Sequence, residues 1–278
     1  IAELLLEHIT NLPLSARIIH KSDQLSSVQY ELLDHALRRV QKHEPVQYII
    51  NESWFAGMRF YVDENVLIPR PETEELVHWV ISECKSAMGK WPPDSYREAQ
   101  GISQVSNFKF LDVGTGSGCI AIALKKKLSQ VEMWACDISD DALNIARMNA
   151  DVLNAAIDFV PLNFLDPEQR EQLPHFDVIV SNPPYVPELG KREMKRNVID
   201  FEPPVALFVP NNDALIFYKA IAEFAREKLN NGGSIYVEIH EDLGAQVKDL
   251  FHSKGFESVV LKKDLQGKER MIRALMNR

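Results

Sequence analysis

The amino-acid sequence predicts an α/β fold: a mostly parallel sheet covered by helices on both faces, preceded by a small helical segment. Three observations predict it. From Phe108 onward, runs with strand character alternate with runs of helical periodicity. The first of these strands empties into a glycine-rich loop, Gly114-Thr115-Gly116-Ser117-Gly118. Ahead of both, residues 1–44 carry apolar residues at helical spacing, and the period then changes. Strands alternating with helices imply parallel pairing, because each crossover helix must lie on a face of the sheet.

In chain order, Leu4, Leu5 and Ile9, then Leu32, Leu33, Ala36, Leu37 and Val40, mark two or three short helices broken at Pro13 and Ser26-Ser27. From Val46 to Ile68 the sequence turns rich in β-branched and aromatic residues around Phe55-Ala56-Gly57-Met58, which predicts a β-hairpin. Ile68-Pro69-Arg70-Pro71 ends it. Glu72-Thr73-Glu74-Glu75 then opens a helix to about Met88, its acids complementing the helix dipole. The polar stretch 89–107, with Pro92-Pro93, predicts a surface loop. Strands are expected at 108–113, 131–136, 157–161, 176–181, 233–239, 256–261 and 270–275, with helices at 118–128, 140–153, 213–229 and 241–253. The last two strands have no helix between them and are expected to pair as an antiparallel hairpin.

Composition narrows the function. The chain has 278 residues, 45% apolar and 26% charged, ordinary values for a globular protein with one large and one small domain. No apolar run approaches the roughly 20 residues of a membrane span. Cys84, Cys119 and Cys136 form no metal-binding spacing and read as reduced core thiols, and the eight histidines include no H-E-x-x-H pattern. No metal is expected. A net charge of −9 argues against general nucleic-acid binding, which needs a basic surface.

The chemistry gathers at the carboxyl ends of the strands, where open α/β sheets bind ligands. Phe108-Lys109-Phe110-Leu111-Asp112-Val113 leads into the glycine loop, whose G-x-G-x-G spacing ends at Cys119 where a dinucleotide fingerprint needs a third glycine. The second strand ends in Asp137, an acid placed to accept both hydroxyls of an adenosyl ribose, while Ser139 or Asp140 caps the helix that follows. After the third strand, Asn163 and Phe164 stand where an adenine would lie. The fourth strand delivers Asn182-Pro183-Pro184-Tyr185. Two prolines fix φ and remove two N–H donors. The carbonyls of Asn182 and Pro183 and the Asn182 side-chain oxygen can then hold a planar NH₂ group, with the Tyr185 ring stacked on it.

These motifs resemble those of the PrmC/HemK family, the glutamine methyltransferases of class-1 peptide release factors. The resemblance runs over nearly the whole chain: Ile68-Pro69-Arg70-Pro71-Glu72-Thr73-Glu74, the segment Asp112 to Gly118, Asn182-Pro183-Pro184-Tyr185, Phe201-Glu202-Pro203 with Ala206-Leu207, Glu238 and Gly244, and Asp264 with Arg270. It departs at Asn163-Phe164, where the family often has Asp-Trp, and after Glu238, where the usual glycine is missing. The resemblance implies a class I (Rossmann-like) S-adenosylmethionine-dependent methyltransferase with a seven-stranded mixed sheet, working in the cytoplasm. It implies a helical substrate-recognition domain at 1–44, with a further helix ahead of Ile1, a β-hairpin linker at 45–68 and a methyltransferase domain at 69–278. S-adenosyl-L-methionine would be held by Asp112, Gly114, Thr115, Gly116, Ser117, Gly118, Asp137, Asn163, Phe164 and Asn182. Asn182, Pro183, Pro184 and Tyr185 would be catalytic, and the partner is a class-1 release factor, with no direct nucleic-acid contact.

Three rival readings exist. Adenine-methylating enzymes also place Asn or Asp before Pro-Pro-Tyr, but the acidic charge and the flanking motifs count against a nucleic-acid substrate. Cys119 and the Asn-Pro-Pro-Tyr loop count against a nicotinamide oxidoreductase, and the full motif set against a non-catalytic binding module. The basic run Lys191-Arg192-Glu193-Met194-Lys195-Arg196 is either a solvated face or a guide for an acidic partner surface.

Overall fold

The computed structural model describes residues 1–20, 22–88 and 108–276. The chain starts with α1 (Ala2–Thr10), α2 (Leu14–Ile19) and α3 (Ser27–Gln41). Ser26 fixes the start of α3 through a capping box: its hydroxyl accepts the Gln29 N–H at 3.2 Å, and the Gln29 side chain accepts the Ser26 N–H at 3.0 Å.

The hairpin expected over Val46–Ile68 is much shorter. Val46–Ile50 is a helix, α4, and only β1 (Ser53–Phe55) and β2 (Met58–Phe60) pair, around Ala56 and Gly57. Both turn residues have positive φ, 50° and 76°, as a two-residue hairpin turn requires. The reason for α4 is tertiary. Val46 and Ile50, one helical turn apart, are buried with Leu5 of α1 and Ala36 of α3 in a small separate core, and that burial outweighs their β propensity. Beyond β2 the chain runs unpaired to α5 (Pro71–Met88), burying Val62, Val66 and Ile68 against Ala142 and Ile145. The loop expected at 89–107 lies outside the described residues.

The sheet domain follows as β3 (Lys109–Val113), α6 (Cys119–Lys127), β4 (Glu132–Asp137), α7 (Asp140–Val152), β5 (Asp158–Pro161), α8 (Pro167–Arg170) and β6 (Phe176–Ser181). A segment carrying the short strands β7 (Val186–Pro187) and β8 (Phe208–Val209) and the helix α9 (Arg196–Ile199) then leads to α10 (Ile216–Lys228). The chain finishes with β9 (Leu229–Glu238), α11 (Gly244–Ser253), β10 (Ser258–Lys263) and β11 (Glu269–Leu275).

The seven-stranded sheet has the order β10-β11-β9-β6-β3-β4-β5. Strands β9, β6, β3, β4 and β5 are parallel; β11 runs antiparallel to β9, and β10 to β11. The terminal hairpin is as the sequence predicts. Alternation of side chains divides the core into two layers. Leu111, Val113, Ile179 and Val237 face α10 and α11, while Phe110, Val178, Val180 and Tyr236 face α5 and α6. From β3 the chain winds outward through β4 and β5, then returns to the other side of β3 as β6. The carboxyl ends of β3 and β6 thus flank the switch in winding direction, where such sheets bind ligands.

Candidate active site

The glycine loop leaves β3 at this switch. Gly114, Gly116 and Gly118 have φ of 71°, 53° and 81°. A Cβ on Gly118 would lie 3.1 Å from Ile122 Cδ1 and 3.2 Å from Ala146 Cβ, so this glycine lets α6 and α7 pack closely. A Cβ on Gly114 or Gly116 would meet no protein atom within 4 Å. Both line a cavity of about 320 Å³.

Asp112 at the end of β3 and the loop residues Thr115 and Ser117 are buried and stand outside the cavity wall. Asp112 Oδ2 accepts the Thr115 hydroxyl at 2.6 Å and the Ala121 N–H at 3.2 Å. Burial raises the Asp112 pKa to about 7 despite these hydrogen bonds. Its role in this geometry is to hold the loop from beneath. Asp137, at the tip of β4, lines the cavity. Its carboxylate accepts the Gly116 N–H at 2.9 Å and the Ser139 N–H at 3.0 Å, and burial pushes its pKa up. Ser139 caps α7 by accepting the Ala142 N–H, which leaves Asp137 facing the cavity.

Asn163 and Phe164 also reach the cavity wall. Asn163 Oδ1 accepts the Leu165 N–H at 3.0 Å. The Phe164 ring is only 5% exposed, edge-on to Phe224 at 5.3 Å and with the Arg170 guanidinium 5.3 Å from its centre. Most of its surface therefore packs in the core.

Asn182, Pro183 and Pro184 line this cavity and also a second one of about 640 Å³, whose wall includes Arg70, Tyr185, Met194, Leu207 and His240. Asn182, Pro183 and Pro184, together with Leu67 and Ala206, form the partition between the two. Asn182 Nδ2 donates to Thr73 Oγ1 at 3.0 Å, and the Thr73 hydroxyl donates to Glu238 Oε2 at 2.6 Å. The Tyr185 hydroxyl donates to Glu238 Oε1 at 3.3 Å, and its ring meets His240 edge-on at 5.9 Å. Burial raises the Glu238 pKa to about 7, opposed by the hydrogen bonds from Thr73 and Tyr185 and by the charge of Arg270. Sequence reading recorded Thr73 and Glu238 as parts of motifs without assigning them to the site. It gave no sign of Asn149, whose carboxamide accepts the Tyr61 N–H at 2.8 Å and donates to Ser117 O at 2.9 Å, joining the linker to the glycine loop.

Comparison with known proteins identifies the family. Residues 100–266 match the model of the methyltransferase small domain, and residues 1–50 that of the PrmC N-terminal domain. A release factor glutamine methyltransferase of Flavobacterium psychrophilum is 44% identical over 91% of this chain and 82% of its own length. The protein of the same description from Bacteroides thetaiotaomicron is 42% identical, over 90% and 82%. The chain belongs to the release factor glutamine methyltransferase family. Among solved structures, the hMettl16 catalytic domain in complex with the MAT2A 3′UTR hairpin 6 superposes with a TM-score of 0.56 over 80% of this chain and 76% of that one. At 17% identity it shares the fold alone. Methyltransferase family and fold together imply S-adenosylmethionine as the methyl donor. Among the described residues, no helix is long and apolar enough to cross a membrane.

Proposed function

We propose that this enzyme transfers a methyl group from S-adenosyl-L-methionine to the side-chain amide nitrogen of the glutamine in the GGQ motif of class-1 peptide release factors, tuning translation termination in the cytoplasm. The observation that carries the reading is the partition. Asn182-Pro183-Pro184 lies between a cavity lined by the glycine loop and Asp137 and a larger one of about 640 Å³ lined by Tyr185, Arg70 and His240.

The smaller cavity suits the donor. The open space in front of Gly114 and Gly116 admits a ligand where any larger residue would intrude, and Asp137 offers acceptors for ribose hydroxyls. When bound, S-adenosylmethionine supplies a sulfonium methyl that is already strongly electrophilic.

An amide nitrogen is a poor nucleophile, so the protein's task is positioning and withdrawal of developing positive charge. Asn182 Oδ1 and the Pro183 carbonyl are the acceptors for the two hydrogens of the glutamine NH₂. Both bind more strongly as the nitrogen becomes cationic, which is preferential binding of the transition state. As the N–C bond forms, the C–S bond breaks and its electron pair stays on sulfur, giving S-adenosyl-L-homocysteine. The extra proton on nitrogen passes to water. Tyr185 covers the amide plane, and the helical segment 1–44 contributes to holding the release factor. A tritium-transfer assay with release factor, DNA and no acceptor tests this; label on DNA instead of protein would select the nucleic-acid reading.

A further inference from the structure

We propose that Thr73 and Glu238 are positioning residues that fix which way round the Asn182 carboxamide presents its two ends to the substrate. The number of available protons decides the orientation. Thr73 is 2% exposed and its hydroxyl carries a single proton. Glu238, also 2% exposed, stands 2.6 Å away, and as a carboxylate it can only accept. While Glu238 is ionised, the Thr73 proton is therefore committed to it. The Asn182 atom 3.0 Å from Thr73 Oγ1 must then be a donor, Nδ2. With Nδ2 turned to Thr73, Oδ1 is turned to the substrate side.

The alternative orientation would do the opposite of what amide methylation needs. With Oδ1 toward Thr73, the Asn182 NH₂ would face the substrate NH₂, donor against donor. Asn and Ser/Thr side chains on their own do not distinguish the two orientations, because a hydroxyl can both donate and accept. The ionised Glu238 breaks that symmetry. Its second oxygen accepts the Tyr185 hydroxyl at 3.3 Å, so the same carboxylate holds Tyr185 directly and Asn182 through Thr73, and both of these border the larger cavity. Thr73 lies in α5, Asn182 follows β6 and Glu238 ends β9, so three elements converge on one chain of hydrogen bonds.

This inference rests on the reading of Asn182 as the holder of the substrate amide, and the test separates the two. Thr73→Val keeps the shape and removes the hydroxyl; Thr73→Ser keeps the hydroxyl. With release factor as substrate, Thr73→Val is expected to lower kcat on the order of 10- to 100-fold, with KM and S-adenosylmethionine affinity within about threefold of the parent. Thr73→Ser is expected to stay within about threefold in kcat. In an Asn182→Ala background, adding Thr73→Val should cost less than about twofold more, because the group being oriented is already gone. Full activity in Thr73→Val, or losses that multiply in the double variant, overturns the positioning role and leaves the methylation reading intact. Failure of the parent enzyme to label release factor overturns both.

Discussion

Arg70 and Glu202, 132 positions apart in the chain, meet at 2.6 Å between Arg70 Nη2 and Glu202 Oε1. The Glu202 side chain is wholly buried, and its other oxygen accepts the Ile68 N–H at 3.3 Å. One carboxylate thus ties the end of the linker to the segment between the Asn182–Tyr185 loop and α10. Burial raises the Glu202 pKa, against the charge of Arg70 and these hydrogen bonds.

Arg70→Ala is therefore expected to destabilise the protein by about 3 kcal/mol, the low end for stranding a buried charge, because Arg70 is partly exposed and water can enter in its place. The deficit should shrink on acidification, since protonated Glu202 no longer carries a buried charge. Urea unfolding at two pH values measures this. A deficit that is the same at both would mean that the loss is one of packing alone.

The motif resemblance made this pair visible as two separate segments, but not as a contact. The same limit explains much of what sequence reading missed. The buried parallel strand Phe176–Ser181 carries the apolar run Val178-Ile179-Val180, and a glycine loop or Asn-Pro-Pro-Tyr is contiguous, so both are legible locally. The helix at Val46–Ile50 is decided by burial against Leu5 and Ala36 on two other helices, and reads locally as strand. Phe164 is legible as an aromatic after the third strand, but its packing against Phe224 and Arg170 is not. The hydrogen bond of Asn182 to Thr73 spans 109 positions and leaves no periodic trace.

Asp137→Ala is expected to weaken S-adenosylmethionine binding by one to two orders of magnitude, since hydrogen bonds to a charged acceptor contribute roughly 1.5–3 kcal/mol each. The variant also removes the acceptor of the Gly116 and Ser139 N–H groups, so part of the loss is slackening of the loop. Calorimetric titration is the check. An unchanged dissociation constant would take Asp137 out of the ribose role.

Glu238, with a pKa raised to about 7 by burial, gives the reaction a pH dependence of definite sign. Ionised Glu238 accepts from Thr73 and Tyr185 and faces Arg270, with Glu72 nearby adding to the upward shift. Turnover at saturating substrate should rise through about pH 7 and then level off. Stability runs the other way. The folded protein holds the Glu238 proton more tightly than the unfolded chain, so this contribution is complete below the ordinary glutamate pKa and is lost as pH rises through about 7. A kcat that is flat between about pH 6 and 8 would exclude a requirement for ionised Glu238.

The basic run sits on the rim of the larger cavity, with Gly190, Met194 and Val198 in its wall. Lys191 Nζ lies 4.6 Å from the Phe208 ring centre and Arg196 pairs with Asp200, while Arg192 and Lys195 are exposed. Arg192→Glu with Lys195→Glu should raise KM for intact release factor, most at low ionic strength, because rim charges act on encounter and are screened within roughly 10 Å at 0.1 M salt. Methylation of a short glutamine-loop peptide should hardly change. Equal losses on protein and peptide would instead point to a damaged pocket.

In the proposed mechanism Asn182 presents acceptors to a glutamine amide of a release factor. The most direct test is peptide mass spectrometry of a class-1 release factor after incubation with S-adenosylmethionine and either the parent enzyme or Asn182→Ala. One added methyl group is expected on the GGQ glutamine with the parent enzyme, formed on the order of 10²- to 10³-fold more slowly by Asn182→Ala. A methyl group on any other residue, or turnover by Asn182→Ala within about threefold of the parent, would contradict this mechanism.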